Sequence, residues 1–249
     1  GGITIIFILI SFAQFKLPHY LNILIPLFSV LTGGFLERQY QEGKPRWMRR
    51  AAKVQLGISL IFLLVIGLVL FWVFPIPTVL GFSFLLLSLV VGFVIWVRAN
   101  STLTRLLGIT LYGAVLLNLV MNTHFYPKLL EYQAGSEMAK RINEESLEIT
   151  TIYKLDQEHT WALDFYFKKP VVYKDMESLT GDETDWYYVN EKQRELLVRR
   201  GIVWDSERNV DQFRISRLQG RFLNPTTREQ VLRKRYLLHV ISSKNPRQH

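Results

Sequence analysis

The chain has 249 residues, a formal charge of +9 and 49% hydrophobic residues, averages that hide two unlike halves. Residues 1–124 hold nine Lys/Arg and only two acids, Glu37 and Glu42, whereas residues 125–249 hold 21 Lys/Arg and 19 acids. The absence of Cys excludes disulfides, thiolate metal sites and a Cys nucleophile. This composition step predicts two domains, a membrane domain over 1–124 and a water-soluble one over 125–249, which the patterns along the chain resolve into a multi-pass α-helical membrane domain followed by a small extracytoplasmic α/β domain.

Two apolar runs open the chain, near 3–13 and 20–36, with Gln14-Phe-Lys-Leu-Pro-His-Tyr20 between them. The first run is about half the roughly 20 residues a bilayer span requires. Gly1-Gly2 carries no Met and no basic flank, so the run does not read as a signal peptide. The expectation is a chain that begins inside a helix, the C-terminal part of a larger membrane protein. Pro18 lacks an N–H and pushes Leu17 out of helical conformation, which predicts a turn carrying Lys16, His19 and Tyr20 at the mouth of a helical hairpin. In the second run, Gly33-Gly34 predicts close helix approach.

Residues 37–53 form a basic stretch, read as a loop, with Arg38, Lys44, Arg46, Arg49, Arg50 and Lys53. Residues 54–74 and 77–97 are predicted full-length membrane helices around the Pro75-Ile-Pro77 turn, and 106–123 is the last. Trp72 and Trp96 lie near helix ends, as an aromatic belt requires. Short cytoplasmic loops are rich in Lys/Arg. That rule places 37–53 and 98–105 in the cytoplasm, and the Lys16 turn and residues 125–249 outside it.

The second half alternates short strand and helix signals. A helix is predicted over 137–145, capped by Ser136, followed by a strand over 147–153 and a helix over 160–167 ended by Pro170. A short buried strand is predicted over 171–173, another strand over 185–189, and a charged helix over 191–200 stopped by Gly201. Strands over 210–216 and 235–242 complete a small sheet covered by helices.

Few residues carry chemistry. The five His show no ligand spacing, so no metal site is predicted within the chain. No Gly-rich phosphate loop and no G-x-S-x-G is present. The near-balanced charge of 125–249 argues against nucleic acid, and its carboxylates read as a solvated surface. His124 and Tyr126 read as interfacial anchors. Lys16 is then the outstanding residue. A Lys amid apolar sequence needs a boundary position or an anionic partner, and as a compact point charge it suits a lipid-linked phosphate. His19 and Tyr20 add hydrogen-bonding capacity.

Lys16-Leu-Pro-His-Tyr20 and the apolar run that follows resemble the K-L-P-x-Y segment of bacterial GT-C membrane glycosyltransferases, the aminoarabinose-transferase-like and protein-mannosyltransferase-like enzymes. Tyr126-Pro-Lys-Leu-Leu-Glu-Tyr-Gln-Ala-Gly-Ser136 and Leu163-Asp-Phe-Tyr-Phe-Lys-Lys-Pro-Val-Val172 also look like this group, particularly its Bacteroidetes-type members. The resemblance implies transfer of a sugar from a polyprenyl-phosphate donor to a lipid, glycan or protein acceptor on the extracytoplasmic face. It places Lys16, His19 and Tyr20 at the donor phosphate. The family's catalytic acids, and a divalent metal used by some members, belong to an N-terminal region without counterpart here. No catalytic residue is therefore expected in this chain, and it is expected to be inactive alone. The competing expectations are a membrane-anchored interaction module and a transporter fragment.

Overall fold

The computed structural model describes residues 24–43, 45–179 and 183–242. It separates into two compact units. One holds the described residues up to Val65 together with Phe82–Leu117, and the other holds Ile66–Gly81 and the chain from Asn118 onward. The apolar run near 3–13 and the start of the run at 20–36 lie outside the described residues.

The first unit is helical. Helix α1 spans Leu24–Gln41 and α2 begins at Pro45 and runs to Leu68. Helix α3 covers Thr78–Arg98 and α4 covers Thr102–Val120. Among the described residues, three helical stretches are long and apolar enough to cross a membrane: Arg46–Val73, Thr78–Arg98 and Thr102–Leu130. Leu64, Val79, Phe93 and Leu111 on these helices are each more than 60% exposed. Such faces are costly in water and are at home among acyl chains.

The basic stretch at 37–53 is not a loop. Gly43, at a φ of +62°, ends α1 in the left-handed conformation that favours glycine, and α2 resumes two residues later. Arg, Lys, Ala and Met are good helix formers. Met48 and Ala52, four apart, are both buried and give this charged turn an apolar side. Among the described residues, no atom lies within 4 Å of a Cβ built at Gly33 or Gly34. The tight approaches fall elsewhere. A Cβ at Gly113 would stand 2.8 Å from Ser59 Oγ, and one at Gly92 would stand 3.1 Å from the Tyr112 ring. Ser59 donates to the Ile109 carbonyl at 3.3 Å and Tyr112 to the Ser88 carbonyl, so each close contact carries a hydrogen bond.

The second unit is a five-stranded mixed sheet in the order β2-β1-β3-β5-β4. The strands are β1 Ile152–Lys154, β2 Val171–Tyr173, β3 Asp185–Asn190, β4 Val203–Gln212 and β5 Arg233–Ile241. β1 pairs in parallel with β2 and β3, whereas β5 runs antiparallel to both β3 and β4. Helices α5 (Ala134–Glu144) and α6 (Trp161–Phe167) cover one face. Their Met138, Ile142, Leu163 and Phe167 pack on Ile152, Tyr188 and Leu237. Helix α7 (Glu191–Arg199) covers the other, placing Leu197 against Tyr187, Val189 and Leu238. The period of two in strands sends Tyr187 and Tyr188 into opposite cores.

Three local expectations are corrected. α5 starts at Ala134, because Ala134 belongs to the buried stripe with Met138 and Ile142. Ser136 is not its cap, and its hydroxyl donates back to the Gln133 carbonyl at 2.9 Å. The strand expected over 147–153 is reduced to Ile152–Lys154, the only part flanked by β2 and β3. β2 is a sheet edge rather than a buried strand, with Val172 and Tyr173 nearly half exposed. By contrast, α7 has the capping box of a well-signalled helix. Asn190 accepts from the Gln193 N–H at 2.9 Å, and Gln193 accepts in return from the Asn190 N–H at 2.8 Å. Gly201, at φ +72°, closes the helix.

Candidate functional site

Lys16, His19 and Tyr20, the residues singled out in the sequence, lie outside the described residues. Within the described chain, three arrangements of polar groups stand out, all in the second unit.

The first sits where α2 and α4 leave their apolar stretches. α2 ends in a π-helical turn, Val69–Val73, and α4 passes into one, Met121–Phe125, before a last α-helical turn over Tyr126–Leu130. A π turn breaks the i→i−4 ladder and leaves backbone groups to be satisfied by other partners. His124 Nε2 lies 2.7 Å from the Phe74 carbonyl. Arg228 Nη2 donates to the Val73 carbonyl at 2.5 Å, its Nε donates to the Phe222 carbonyl at 2.9 Å, and Nη1 reaches the Tyr132 hydroxyl at 3.3 Å. The same guanidinium lies over the Phe74 ring at 4.7 Å and is flanked by Phe222 and Tyr132. With its donors engaged and aromatic faces around it, Arg228 is a joint between the end of α2 and the sheet domain.

The second arrangement is centred on Arg235, which is buried at the head of β5. Its Nε donates to Gln212 Oε1 at 2.7 Å and its Nη1 to Asp156 Oδ2 at 3.1 Å, and Nη2 pairs with Glu158. Gln193 Nε2 adds a further hydrogen bond to Asp156 at 3.2 Å, so the capping box of α7 is tied into the network. Burial works against the charge on Arg235. Tyr188, Asp156 and Glu158 more than offset it, and the guanidinium's pKa is raised. Burial also pushes the Tyr188 hydroxyl up, which keeps it neutral.

Three clefts meet at this hub, each with Glu158, Gln212 and Arg235 in its wall. One, of about 210 Å3, reaches His159 and Trp161, whose rings stack 4.6 Å apart. Another, of about 430 Å3, opens towards Asn190, Lys192 and Lys234. Asp156, read in the sequence as part of a solvated surface, is instead committed to Arg235. The available signal was a cation on the buried face of a strand: Arg235 and Leu237 alternate on the side of β5 that meets α5 and α6.

A third cluster joins Lys174, Glu183 and Tyr187. Lys174 pairs with Glu183, and the Tyr187 hydroxyl donates to the same carboxylate at 2.7 Å. The Lys174 ammonium holds the Glu183 carboxyl below its usual range against the opposing effect of burial, with help from Tyr187. Burial raises the neighbouring Asp185. Among the described residues no group of three His, Asp or Glu is placed to hold a metal ion. No nucleophile stands against a base in any of these clusters. Their chemistry is hydrogen bonding and ion pairing, suited to recognition and to holding the domain in place.

No protein-family model matches the chain, and no curated protein does. Solved structures do. The fold is similar to that of ArnT from Cupriavidus metallidurans. The structure of that protein bound to undecaprenyl phosphate matches over 95% of this chain and 44% of its own, with a TM-score of 0.52 and 18% identity. Its apo state matches over 82% of this chain and 43% of its own, with a TM-score of 0.46 and 17% identity. The chain therefore spans less than half the length of the ArnT structures it matches. The likeness extends across both the apolar helices and the sheet domain.

Proposed function

We propose that this chain forms the C-terminal part of an integral-membrane GT-C glycosyltransferase of the inner membrane. The whole enzyme would move a sugar from a polyprenyl-phosphate donor to a lipid, glycan or protein acceptor on the periplasmic face. The observation that carries this reading is the fold shared over 95% of the chain with ArnT bound to undecaprenyl phosphate. The resemblance of Lys16-Leu-Pro-His-Tyr20 to the K-L-P-x-Y segment, and of the stretches 126–136 and 163–172 to Bacteroidetes-type members, supports it independently of the fold.

In this reading 1–124 is the membrane domain and 125–249 the periplasmic domain, with 37–53 and 98–105 on the cytoplasmic side. Lys16 meets the donor phosphate, aided by His19 and Tyr20. As polyprenyl phosphate departs, negative charge grows on its oxygens, and a fixed cation there lowers the barrier. The catalytic acids belong to the remainder of the protein. The Arg228 joint ties the sheet domain to the helix end at Val73, and the Arg235 hub holds the domain itself together.

The test is Lys16→Ala in the full-length protein in native membranes, following sugar transfer from a polyprenyl-phosphate donor alongside expression. Transfer lost at normal expression is the expected result. Unchanged transfer would remove Lys16 from the donor site.

A further inference from the structure

Beyond the end of β4 the chain loops through 213–219 before the helical turn Gly220–Leu223. Arg214 and Arg217 stand on this loop, and Arg233 opens β5. With Arg235, Gln219 and Glu158 they line a cavity of about 470 Å3, the third of the clefts that meet at the hub. Arg235 is already committed to Asp156, Glu158 and Gln212. Glu158, the one acid in the wall, is committed in turn to Arg235. Arg214, Arg217 and Arg233 are exposed, and their side chains make no hydrogen bond or ion pair with any described residue.

Three unpartnered guanidinium groups around one concavity repel one another and focus a positive potential inside it. An anion with several acceptor oxygens relieves that repulsion. The planar fork of arginine fits phosphate oxygens two at a time.

Position narrows the ligand. Phe213 forms part of the cavity wall and stacks on Phe222 at 4.0 Å with the rings 14° apart. Phe222 meets Phe74 edge-on at 6.5 Å. Phe74 directly follows the π turn that ends the apolar helix Arg46–Val73. The cavity thus lies two ring contacts from the end of a membrane-length helix, and the ends of such helices are where bilayer phosphates sit. We propose that this cavity binds the phosphate of an anionic lipid headgroup. The site shares no residue with the Lys16 segment and stands whether or not Lys16 holds a donor.

The test is native mass spectrometry of the full chain released from detergent, offered phosphatidic acid or phosphatidylcholine. The wild type should retain phosphatidic acid in preference. Arg214→Gln/Arg217→Gln/Arg233→Gln should lower that retention by about tenfold or more, as expected for removing three basic contacts near a lipid surface. A control, Arg46→Gln/Lys53→Gln, removes charge near the start of α2 and should leave retention intact. Should the triple variant fold poorly by circular dichroism, the three single variants serve, each expected to lower retention roughly two- to fivefold. Equal retention in the arginine variants, or equal loss in the control, overturns the proposal. Inorganic phosphate bound as tightly as phosphatidic acid, and lost in the same variants, would give the cavity to a soluble anion and overturn the lipid assignment.

Discussion

Arg228 reaches across 155 positions of sequence to the carbonyl of Val73, the last residue of a π-helical turn. That carbonyl lies where the helical ladder is broken, so the guanidinium supplies a partner the helix itself does not.

Arg228→Ala is expected to lower the apparent melting temperature of the purified protein, with a loss of roughly 2–3 kcal/mol, the order found for hydrogen bonds to a charged group. Arg228→Lys should recover less than half of this, because an ammonium cannot serve three separated acceptors in one plane. Hydrogen–deuterium exchange should rise at 69–76 and 219–228 in both variants and stay unchanged in α3. A melt indistinguishable from wild type would refute the joint.

The Arg235 hub should show the asymmetry of a buried ion network. Arg235→Ala leaves Asp156 and Glu158 without their cation and should cost roughly 3–5 kcal/mol. The double replacement Arg235→Met/Asp156→Leu removes both charges and should recover much of the loss. Thermal melts of the three proteins decide the point, and a double variant worse than the single would argue that the pair is net stabilising.

Gly135 is the position in α5 where backbone spacing leaves no room for a side chain. A Cβ there would stand 2.8 Å from the backbone nitrogen of Leu163, which cannot move without displacing α6. Gly135→Ala should therefore destabilise by roughly 1–3 kcal/mol, although alanine is the better helix former. Gly220→Ala, with nothing within 4 Å, is the matched control and should be near neutral.

Acid should act through Glu183. Its carboxyl pKa is lowered in the folded protein, chiefly by Lys174. The stabilisation it gives is present above the unfolded carboxylate pKa and is lost as pH falls through the folded value. Glu183→Gln should thus lower stability at neutral pH and flatten its decline on acidification. Asp185 works in the opposite sense, since burial raises it. Asp185→Asn should stabilise at neutral pH, with an advantage that shrinks as acid protonates the native Asp185. Melting curves from pH 7 to pH 3 separate the two carboxylates.

The helices and most strands were legible because each follows one periodic rule. Gly201 stops α7 as expected, with the Asn190–Gln193 box at its start added by the structure, and Trp161–Phe167 ends before Pro170 as expected. The sequence misled where two signals competed. Charge density at Arg46–Lys53 suggested a loop, yet the same residues are strong helix formers with Met48 and Ala52 beneath them. β4 was expected over 210–216 and instead spans Val203–Gln212, because its charged first half is a sheet edge, where polar residues are tolerated. The Arg228 joint and the arginine cavity were not legible. Their members come from loops and strand ends far apart in sequence, and only the fold brings them together.

The two π turns carry a consequence for how such a chain can change. Each packs more than the ordinary 3.6 residues into a turn, and the first directly precedes Phe74, whose ring meets Phe222 and Tyr132. Deleting one residue from either turn would restore regular pitch and rotate everything beyond it by roughly 100°. The apolar length would barely alter, so insertion into a bilayer would proceed as before. After a deletion at Val69–Val73 the Phe74 ring would point away from Phe222 and Tyr132. A single-codon deletion at Val69–Val73 is thus a way to release Phe74 from its ring contacts while keeping the apolar stretch.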